Sequence, residues 1–326
     1  MKKWVYSRLN IGIFAGSGTT LGDTIRTKKI MEFLRERGYG VVNLNNMETP
    51  VNKVHSHSVL LKLAKWVFTS IPFFDHINLL RLSRNLEKKI QRENIDILQC
   101  ETTIPAYIGA RALALAVRQK KIPLVFDMHG LTAEQALMEG KPKHLVDFVR
   151  KIQFDALRLS NHIFVVSDLH KKYLQSRGVP PEKMTVVPNA AEIRPKFAKM
   201  SEPVNVVFGG IFAYWENIQT YVKASTFNKD DQINFYLAGD GPLRGSLFSL
   251  IKRLGSPIRY VGRLSPNEAL GFFDKCHIGI LTSSKDIARQ IACPIKFFDY
   301  MSCGLAVVSE DVGWWSQLIT NKSFAV

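Results

Sequence analysis

Residues 294–308 read PIKFFDYMSCGLAVV, and this stretch decides the fold. Pro294 suits the first turn of a helix, where its fixed φ angle is helical and no N–H donor is needed. Gly304 suits the left-handed position that ends a helix, and the apolar residues 305–308 then suit a buried strand. A helix that leads directly into a buried strand is the unit from which parallel α/β sheets are built.

The sequence before this stretch repeats the same alternation of short apolar runs and amphipathic segments. Such alternation is typical of a parallel sheet that is covered by helices on both faces. We therefore predict an α/β fold with doubly wound sheets. The predicted strands are 11–15, 41–44, 95–100, 123–126, 162–166, 184–187, 204–208, 233–237, 258–261, 278–281 and 305–308.

The chain length predicts two domains. Its 326 residues exceed what one hydrophobic core usually organises. The Pro-containing residues 191–202 have little periodicity, so we place a linker there, between an N-terminal domain of residues 1–190 and a C-terminal domain of residues 203–326. Ligands of such sheets bind at the carboxyl ends of the strands, so we expect a cleft between two Rossmann-like domains to hold the site.

The positive charge of the chain lies almost entirely in its first part. Residues 1–200 carry 32 Lys and Arg against 17 Asp and Glu, whereas residues 201–326 carry 12 against 11. This asymmetry predicts an anionic partner for the N-terminal domain: a phospholipid surface, a lipid phosphate or nucleic acid. No nucleic-acid-binding motif is present, so we expect no nucleic acid partner.

Composition also bears on the compartment. No apolar stretch reaches the roughly 18 residues of a spanning helix, and Arg8 and Asn10 interrupt any secretory signal. The four cysteines have no metal-ligand spacing, which suits reduced thiols, so we expect neither disulfides nor zinc. We expect a cytoplasmic protein.

The basic segment 59–90 carries large apolar side chains among its lysines and arginines. Two interpretations stay open: an amphipathic segment lying in a membrane interface at the inner face of the cell membrane, or two ordinary helices packed on the sheet. The residues predicted to touch a membrane surface are Lys62, Lys65, Trp66, Phe73 and Phe74.

The first predicted strand ends in a glycine-rich turn that contains Gly16 and Gly18. Glycines there let backbone N–H groups approach a phosphate. The spacing matches neither Gly-x-Gly-x-x-Gly nor a P-loop, and Asn45 and Asn46 stand where an acidic residue would hold an adenosine ribose. Phosphate contact is therefore predicted, but dinucleotide binding is disfavoured.

Two further strand ends carry candidate chemistry. His129 follows the fourth strand, where an imidazole can donate a hydrogen bond to a sugar hydroxyl or a leaving oxygen. The N–H groups around Ile295 and Lys296, at the start of the helix after Pro294, suit a diphosphate, and the Lys296 ammonium adds charge. Such a site stabilises a departing nucleotide without a metal, so we expect no metal or other cofactor.

The order of four sequence blocks resembles the family-four glycosyltransferases, which have the GT-B fold. The blocks are GVPPEKMTVVPN at 178–189, AGDGP at 238–242, YVGR at 260–263 and the stretch 294–308. The resemblance implies that Asp299 holds the nucleotide ribose, and that Gly209, Gly210, Arg263 and Lys296 lie near the donor. It also implies that the N-terminal domain binds the acceptor and that the C-terminal domain binds the nucleotide sugar.

The implied activity is retaining transfer of a hexose-like sugar from a nucleotide diphosphate sugar to a lipid-linked glycan or a polysaccharide of the cell envelope. Two alternatives stay open: a non-catalytic protein that binds the sugar nucleotide, and a nucleotide-sugar epimerase. Ile291 stands where the family has an acidic residue that contacts the sugar, which favours the first alternative. Family members also continue past the position of Val326 with further helices, so the resemblance implies a truncated C-terminal end.

Overall fold

The computed structural model describes residues 9–15, 21–45, 72–116, 121–194, 202–228 and 232–320. Only the backbone is described for 21–24, 72–77, 319 and 320. The described chain divides into two compact units. The first contains the residues up to Val166 together with His170–Val187, and the second contains Ser167–Leu169 and the residues from Pro188 onward. Residues 195–201 of the predicted linker lie outside the description.

The first unit is built on a six-stranded parallel sheet with the order β2-β1-β3-β4-β5-β6. Its strands are β1 Asn10–Phe14, β2 Gly40–Asn43, β3 Ile97–Glu101, β4 Leu124–Met128, β5 His162–Val165 and β6 Met184–Val186. Its helices are α1 Leu21–Glu36, α2 Pro72–Arg92, α3 Thr103–Leu115, α4 Thr132–Met138, α5 Lys143–Leu159 and α6 Asp168–Gln175.

The second unit is built on a five-stranded parallel sheet with the order β11-β10-β7-β8-β9. Its strands are β7 Val204–Ile211, β8 Ile233–Asp240, β9 Arg259–Gly262, β10 Ile278–Leu281 and β11 Ala306–Ser309. Its helices are α7 Ile218–Ser225, α8 Arg244–Leu254, α9 Pro266–Phe273, α10 Ile287–Gln290, α11 Ile295–Ser302 and α12 Gly313–Thr320. The α/β class and the parallel sheets predicted from the sequence are confirmed.

Three strands extend at their carboxyl ends by at least two residues more than predicted. β4 continues through Asp127 and Met128, β7 continues through Gly209 and Gly210, and β8 continues to Asp240. Gly209 and Gly210 pair with Ala238 and Gly239 across the two strands. The predicted strand ended at residue 208, before these glycines, but parallel pairing satisfies their backbone groups inside the sheet.

Gly209 is required by packing. A Cβ atom built on Gly209 would lie 2.4 Å from Cζ of Phe273, and the Gly209 N–H donates to the Tyr300 hydroxyl over 2.8 Å. Tyr300 is fully buried and its ring packs against that of Phe273 at 5.0 Å. This strand position therefore supports α9 and α11, both of which pack against the sheet.

The stretch 294–308 folds as predicted. Helix α11 begins directly after Pro294 and ends at Ser302, and Gly304 follows with φ of 76°. The Gly304 N–H donates to the Met301 carbonyl and the Leu305 N–H donates to the Tyr300 carbonyl, which closes the helix end. The chain then enters β11. These contacts set the position of the first turn of α11, where Lys296 lies.

Candidate active site

Each sheet has one point at which the chain reverses its direction of winding. In the first sheet this point lies between β1 and β3, and in the second it lies between β7 and β10. Ligands of doubly wound sheets bind outside the carboxyl ends of the strands at such a switch point. A cluster of buried charged side chains lies at each of the two positions.

The first cluster, called the carboxylate cluster, lies at the β1–β3 switch point. Its members are Arg26 and Thr27 of α1, Glu101 at the end of β3, Asp127 of β4 and His129 just after β4. The side chains of Glu101 and Asp127 are fully buried. Buried acids are rare in proteins unless they are paired or hydrogen-bonded, so each carboxylate needs a partner.

Arg26 is the partner of Asp127. Its Nε lies 3.0 Å from Oδ2 and its Nη2 lies 3.1 Å from Oδ1, so the ion pair is bidentate. Nη2 also donates to the Val187 carbonyl over 3.2 Å. Burial acts to raise the pKa of Asp127, but His129 and Arg26 outweigh it and hold the pKa below its usual value. Asp127 is therefore ionised at neutral pH.

In the described part of the chain, no arginine forms an ion pair with Glu101. Its Oε2 accepts a hydrogen bond from Thr27 over 2.7 Å, and its Oε1 accepts one from Gln99 over 3.3 Å. Burial, followed by the charge of Asp127, raises the pKa of Glu101 to about 7. Glu101 is thus an acid that exchanges its proton near neutral pH.

His129 lies between the two carboxylates. Its Nε2 is 3.4 Å from Oε2 of Glu101 and 3.5 Å from Oδ1 of Asp127, and its side chain is 12% exposed. One ligand atom from each of these three residues lies within 4.8 Å of the others. The Arg26 guanidinium holds both oxygens of Asp127, so a metal ion there would meet a fixed positive charge. We therefore expect no metal in this cluster.

The backbone beside Glu101 is strained. Thr102 has φ of 67° and ψ of 171°, a region that is sparsely populated by residues other than glycine. Its N–H donates to the Asp127 carbonyl over 3.0 Å, which ties the ends of β3 and β4 together. Strain of this kind costs about 1 to 3 kcal/mol and clusters at ligand sites.

The second cluster, called the cation cluster, lies at the β7–β10 switch point. Its members are Glu216, which follows β7, and Arg289 and Lys296, which follow β10. Nζ of Lys296 lies 2.5 Å from Oε2 of Glu216, and Nη2 of Arg289 lies 3.6 Å from Oε1. Two buried cations thus share one buried carboxylate.

The surroundings of Lys296 are largely apolar. Its Nζ lies 4.4 Å from the centre of the Phe208 ring, and a Cβ atom on Gly210 would come within 3.0 Å of Nζ. Burial lowers the pKa of Lys296, against the opposing charge of Glu216. Burial acts to raise the pKa of Glu216, but Lys296 and Arg289 outweigh it and keep the pKa low. Gly210 leaves the space that the ammonium occupies.

Arg289 is positioned by two neighbours, Ser283 and Trp315. Its Nε donates to the Ser283 hydroxyl over 3.0 Å, and its guanidinium lies 5.8 Å from the Trp315 ring centre. Its Nη2 is buried and has no hydrogen-bond partner within the described parts of the chain. With Glu216 ionised and both cations charged, the cluster has a net charge of +1. An unpaired buried charge is unfavourable, so the cluster favours the binding of an anion.

The turn that carries Glu216 is fixed by its neighbours. The Thr282 hydroxyl donates to the Glu216 carbonyl, and the Ser284 N–H donates to the Trp215 carbonyl over 3.0 Å. Asn217 follows in the left-handed conformation with φ of 47°. The position of the carboxylate is therefore set by the ends of β7 and β10 together.

Other predicted site residues lie in and around these clusters. Ile295 and Lys296 are the first two residues of α11, whose leading N–H groups have no acceptor inside the helix. Asp299 lies one turn later and is half-buried. Arg263 is exposed after β9, an edge strand two positions from β7, so the structure does not place it in the cation cluster. Ile291 is buried.

Several predicted residues cannot be placed. Gly16, Gly18, Lys62, Lys65 and Trp66 lie outside the described residues. Phe73 and Phe74 fall in the first turn of α2, where only the backbone is described.

His129 and Lys296 were predicted from the sequence, but the charged residues that contact them were not. These are Arg26, Glu101, Glu216 and Arg289. Position along the chain could have identified Glu101, because an acid that directly follows a buried strand lies at the edge of the sheet where ligands bind.

Two family profiles match the chain. The profile of Glycosyltransferase Family 4 matches residues 26–194, and that of Glycosyl transferases group 1 matches residues 202–324. The first match begins at Arg26 and includes the carboxylate cluster, and the second includes the cation cluster. No curated protein sequence matches the chain significantly.

Several solved structures share the fold. The lipopolysaccharide outer core galactosyltransferase WaaB, in its apo form, is 14% identical with a TM-score of 0.63, covering 96% of this chain and 83% of that one. Anabaena HepE in complex with UDP and glucose is 15% identical with a TM-score of 0.62, covering 95% and 83%. Sucrose-phosphate synthase from Thermosynechococcus elongatus is 15% identical with a TM-score of 0.68, covering 94% and 82%.

These likenesses establish the fold, which is of the GT-B type as predicted. The match to the first profile covers more than half of the 326 residues. The chain therefore belongs to the family-four glycosyltransferases.

Proposed function

We propose that the protein transfers a sugar from a nucleoside diphosphate sugar to a lipid-linked glycan or a polysaccharide, with retention of anomeric configuration. The observation that carries the donor assignment is the cation cluster, in which Lys296 and Arg289 share Glu216 and leave one positive charge. Similar structures support the ligand class: HepE was solved with UDP-glucose, and TarM was solved with UDP, Fondaparinux and alpha-GlcNAc-glycerol.

The cation cluster suits the departing nucleotide. When the bond between the sugar carbon and the phosphate oxygen breaks, negative charge develops on the diphosphate. Fixed cations and the free N–H groups at the start of α11 stabilise that charge without reorganising. Lys296, Arg289 and the N–H group of Ile295 would supply these contacts, so no metal is required. We assign the ribose contact to Asp299.

His129 suits the sugar. A half-buried imidazole held by two carboxylates presents a fixed donor to a sugar hydroxyl or to the leaving oxygen. We assign the proton of the acceptor hydroxyl to a phosphate oxygen of the departing nucleotide, while the acceptor oxygen forms the new bond to the sugar carbon. Positioning and charge stabilisation then supply most of the rate enhancement.

We place the protein in the cytoplasm, associated peripherally with the inner face of the cell membrane. The positive charge of residues 1–200 and the basic, aromatic segment 59–90 support this location. On α2, Arg81, Arg84 and Lys88 are exposed. None of the helices in the described residues is long and apolar enough to span a membrane. A peripheral role in building a cell envelope glycan fits both features.

One observation favours a second candidate, a sugar-nucleotide-binding protein without transfer activity. Ile291 is buried and apolar at the position where the resemblance implies an acid in contact with the sugar. Such a protein would still bind the nucleotide through the cation cluster. Turnover, and not binding, distinguishes the two candidates.

Nucleotide binding is the first test. We expect one of UDP, GDP and ADP, or a sugar conjugate of one of them, to raise the melting temperature selectively, since a ligand that binds only the native state stabilises it. Lys296→Met should weaken this binding at least tenfold, and so should Asp299→Ala. Lys296→Met leaves Arg289 to neutralise Glu216, so the fold should persist.

The matched control is Lys285→Met, because Lys285 is exposed near the same helices. Equal binding by Lys296→Met and Lys285→Met would remove the donor site from the cation cluster. No selective shift with any nucleotide at millimolar concentration would contradict the proposed function. Release of nucleotide from the selected sugar conjugate, only when acceptor glycan is present, would exclude the non-catalytic candidate.

A further inference from the structure

Glu310 is a half-buried acid directly after β11 that has no role in the mechanism above. Its Oε1 accepts a hydrogen bond from Nδ2 of Asn217 over 2.8 Å, and its Oε2 accepts one from the Ser283 N–H over 3.1 Å. Asn217 follows the turn after β7, and Ser283 lies just after β10. One carboxylate therefore connects the carboxyl ends of three strands, β7, β10 and β11.

The backbone of Glu310 is fixed as well. Its N–H donates to the Leu281 carbonyl over 3.3 Å, and its own carbonyl accepts from the Val312 N–H over 2.8 Å. The side chain thus extends from a fixed backbone and has a hydrogen-bond donor on each oxygen. Moving either donor would break a hydrogen bond to a carboxylate, which is stronger than one between neutral groups.

The two residues that Glu310 holds determine the contacts of Arg289. The Ser283 hydroxyl accepts from Nε of Arg289 over 3.0 Å. Asn217 directly follows Glu216, whose Oε1 lies 3.6 Å from Nη2 of Arg289. The guanidinium is therefore held from two sides, and Glu310 connects these two sides to each other.

We propose that Glu310 is a positioning residue for the donor diphosphate, because it fixes Ser283 and Asn217 and, through them, the guanidinium of Arg289. This inference rests on the proposed function, in which Arg289 contacts the departing nucleotide. A cation that is already oriented binds an anion without the loss of side-chain freedom that binding otherwise costs. Glu310 acts through its two hydrogen bonds and does not contact the nucleotide.

The two hydrogen bonds predict how substitutions of Glu310 should rank. Alanine removes both acceptors. Glutamine keeps one oxygen for the Ser283 N–H, and its Nε2 can donate to Asn217 once the side-chain amide of Asn217 has turned over. Glutamine thus restores both bonds without the charge, so Glu310→Gln should behave like the unaltered protein and Glu310→Ala should not.

Nucleotide affinity is the first measurement, by calorimetric titration with whichever of UDP, GDP and ADP raises the melting temperature. We expect Glu310→Ala to weaken binding about fivefold and Glu310→Gln to stay within about twofold. In the background of Arg289→Met, Glu310→Ala should have no further effect, because the residue that it positions is absent. Arg289→Met leaves Lys296 to neutralise Glu216, so this background should fold.

Ser283→Ala tests the same route without altering Glu310. It removes the hydroxyl that accepts from Arg289 and keeps the N–H that donates to Glu310. It should weaken nucleotide binding about as much as Glu310→Ala does, and it supplies the comparison if alanine at position 310 prevents folding.

A further measurement needs no nucleotide. In protein with ¹⁵N-labelled arginine, the Nε–H signal of Arg289 is assigned by its absence in Arg289→Met. The hydrogen bond to Ser283 should protect this N–H from exchange with solvent. We expect Glu310→Ala to speed up the exchange about tenfold or more, and Glu310→Gln to leave it unchanged.

Asp311→Ala is the matched control. Asp311 is the next acid in the chain, is exposed, and accepts from the Ser316 hydroxyl instead of from Ser283. It should change neither the nucleotide affinity nor the exchange of the Arg289 Nε–H.

Three results would overturn the proposal: unchanged Arg289 exchange in Glu310→Ala, an equal loss of affinity from Glu310→Ala with and without Arg289, or a Glu310→Gln variant as weak as the alanine variant. Full affinity in Ser283→Ala would also overturn it. A protein that binds no nucleotide, but in which Glu310→Ala alone removes the protection of the Arg289 Nε–H, would refute the proposed function and leave Glu310 as the residue that positions Arg289.

Discussion

Glu101 and Glu216 are two buried glutamates, one at the switch point of each sheet, and their pKa values are shifted in opposite directions. Each lies at the switch point of its own parallel sheet, and the side chain of each is less than 5% exposed. The pKa of Glu101 is raised to about 7, mainly by burial, whereas Lys296 and Arg289 overcome burial and lower the pKa of Glu216. Burial is common to both, so the neighbours decide the difference.

The comparison shows how one architecture produces two kinds of site. A carboxylate that has another carboxylate and an imidazole as neighbours holds a proton and suits hydrogen bonds to hydroxyl groups. A carboxylate that has two cations as neighbours is a fixed counter-ion, and the cation in excess suits a phosphate. This division underlies our proposal that His129 of the first unit contacts the sugar and that the cation cluster of the second unit contacts the diphosphate.

The largest expected effect is on stability, from Glu216→Gln. Removing one partner of a buried ion pair leaves uncompensated charge, and here two cations would remain, so we expect a loss of about 3 to 5 kcal/mol in the free energy of unfolding. Urea unfolding measures it. Glu32→Gln is the control, because Glu32 pairs with Lys28 on the surface with 52% of its side chain exposed. We expect a change within about 0.5 kcal/mol there.

A loss below about 1 kcal/mol for Glu216→Gln would mean that Glu216 is not the counter-ion of the cluster. The explanation that Lys296 and Arg289 lower the pKa of Glu216 would then be wrong.

The sequence predicted the fold better than it predicted these clusters. All eleven predicted strands correspond to strands of the structure. An apolar run between turn residues indicates a buried strand from neighbouring residues alone. The start of α11 was predicted from Pro294 and its end from Gly304, for the same reason. Local pattern suffices where the determining contacts are local.

The pairing of the clusters is not local. Glu216 and Lys296 are 80 positions apart, and Arg26 and Asp127 are 101 apart. The sequence shows Lys296 as a free cation at a helix start, and only the fold brings Glu216 to it. His129 likewise reads as a lone histidine until β3 places Glu101 beside it. Partners that set charge and proton affinity are therefore the part of a site that a single sequence conceals.

The second prediction concerns pH and uses Glu101→Gln. A buried acid with a raised pKa binds its proton in the native state over a range in which the unfolded chain has lost it. The Glu101 contribution to the free energy of unfolding therefore falls as pH rises from about 4.5 to about 7, by about 3 kcal/mol in total. Glu101→Gln should lack this fall.

The difference in the free energy of unfolding between the unaltered protein and Glu101→Gln isolates the contribution of Glu101. His170, whose pKa is lowered to about 3, acts with the opposite sign, because the unfolded chain protonates it first as pH falls below about 6.5. That contribution is common to both proteins and cancels in the difference. Parallel stability curves between pH 4.5 and 7 would contradict a raised pKa for Glu101.

The smallest expected effect comes from Thr27→Val, which sharpens the comparison by altering one hydrogen bond. The Thr27 hydroxyl donates to Oε2 of Glu101 and favours its charged form, so its removal should raise the pKa of Glu101 further and cost about 1 kcal/mol at pH 8. Thr27→Ser keeps the hydroxyl and should change neither quantity appreciably. The stability difference between the valine and serine variants should therefore shrink below pH 5, where Glu101 is protonated and the lost bond no longer supports a charge. A difference that stays constant from pH 5 to pH 8 would show that Thr27 contributes only packing, and the proton affinity of Glu101 would then have to come from burial, Asp127 and His129 alone.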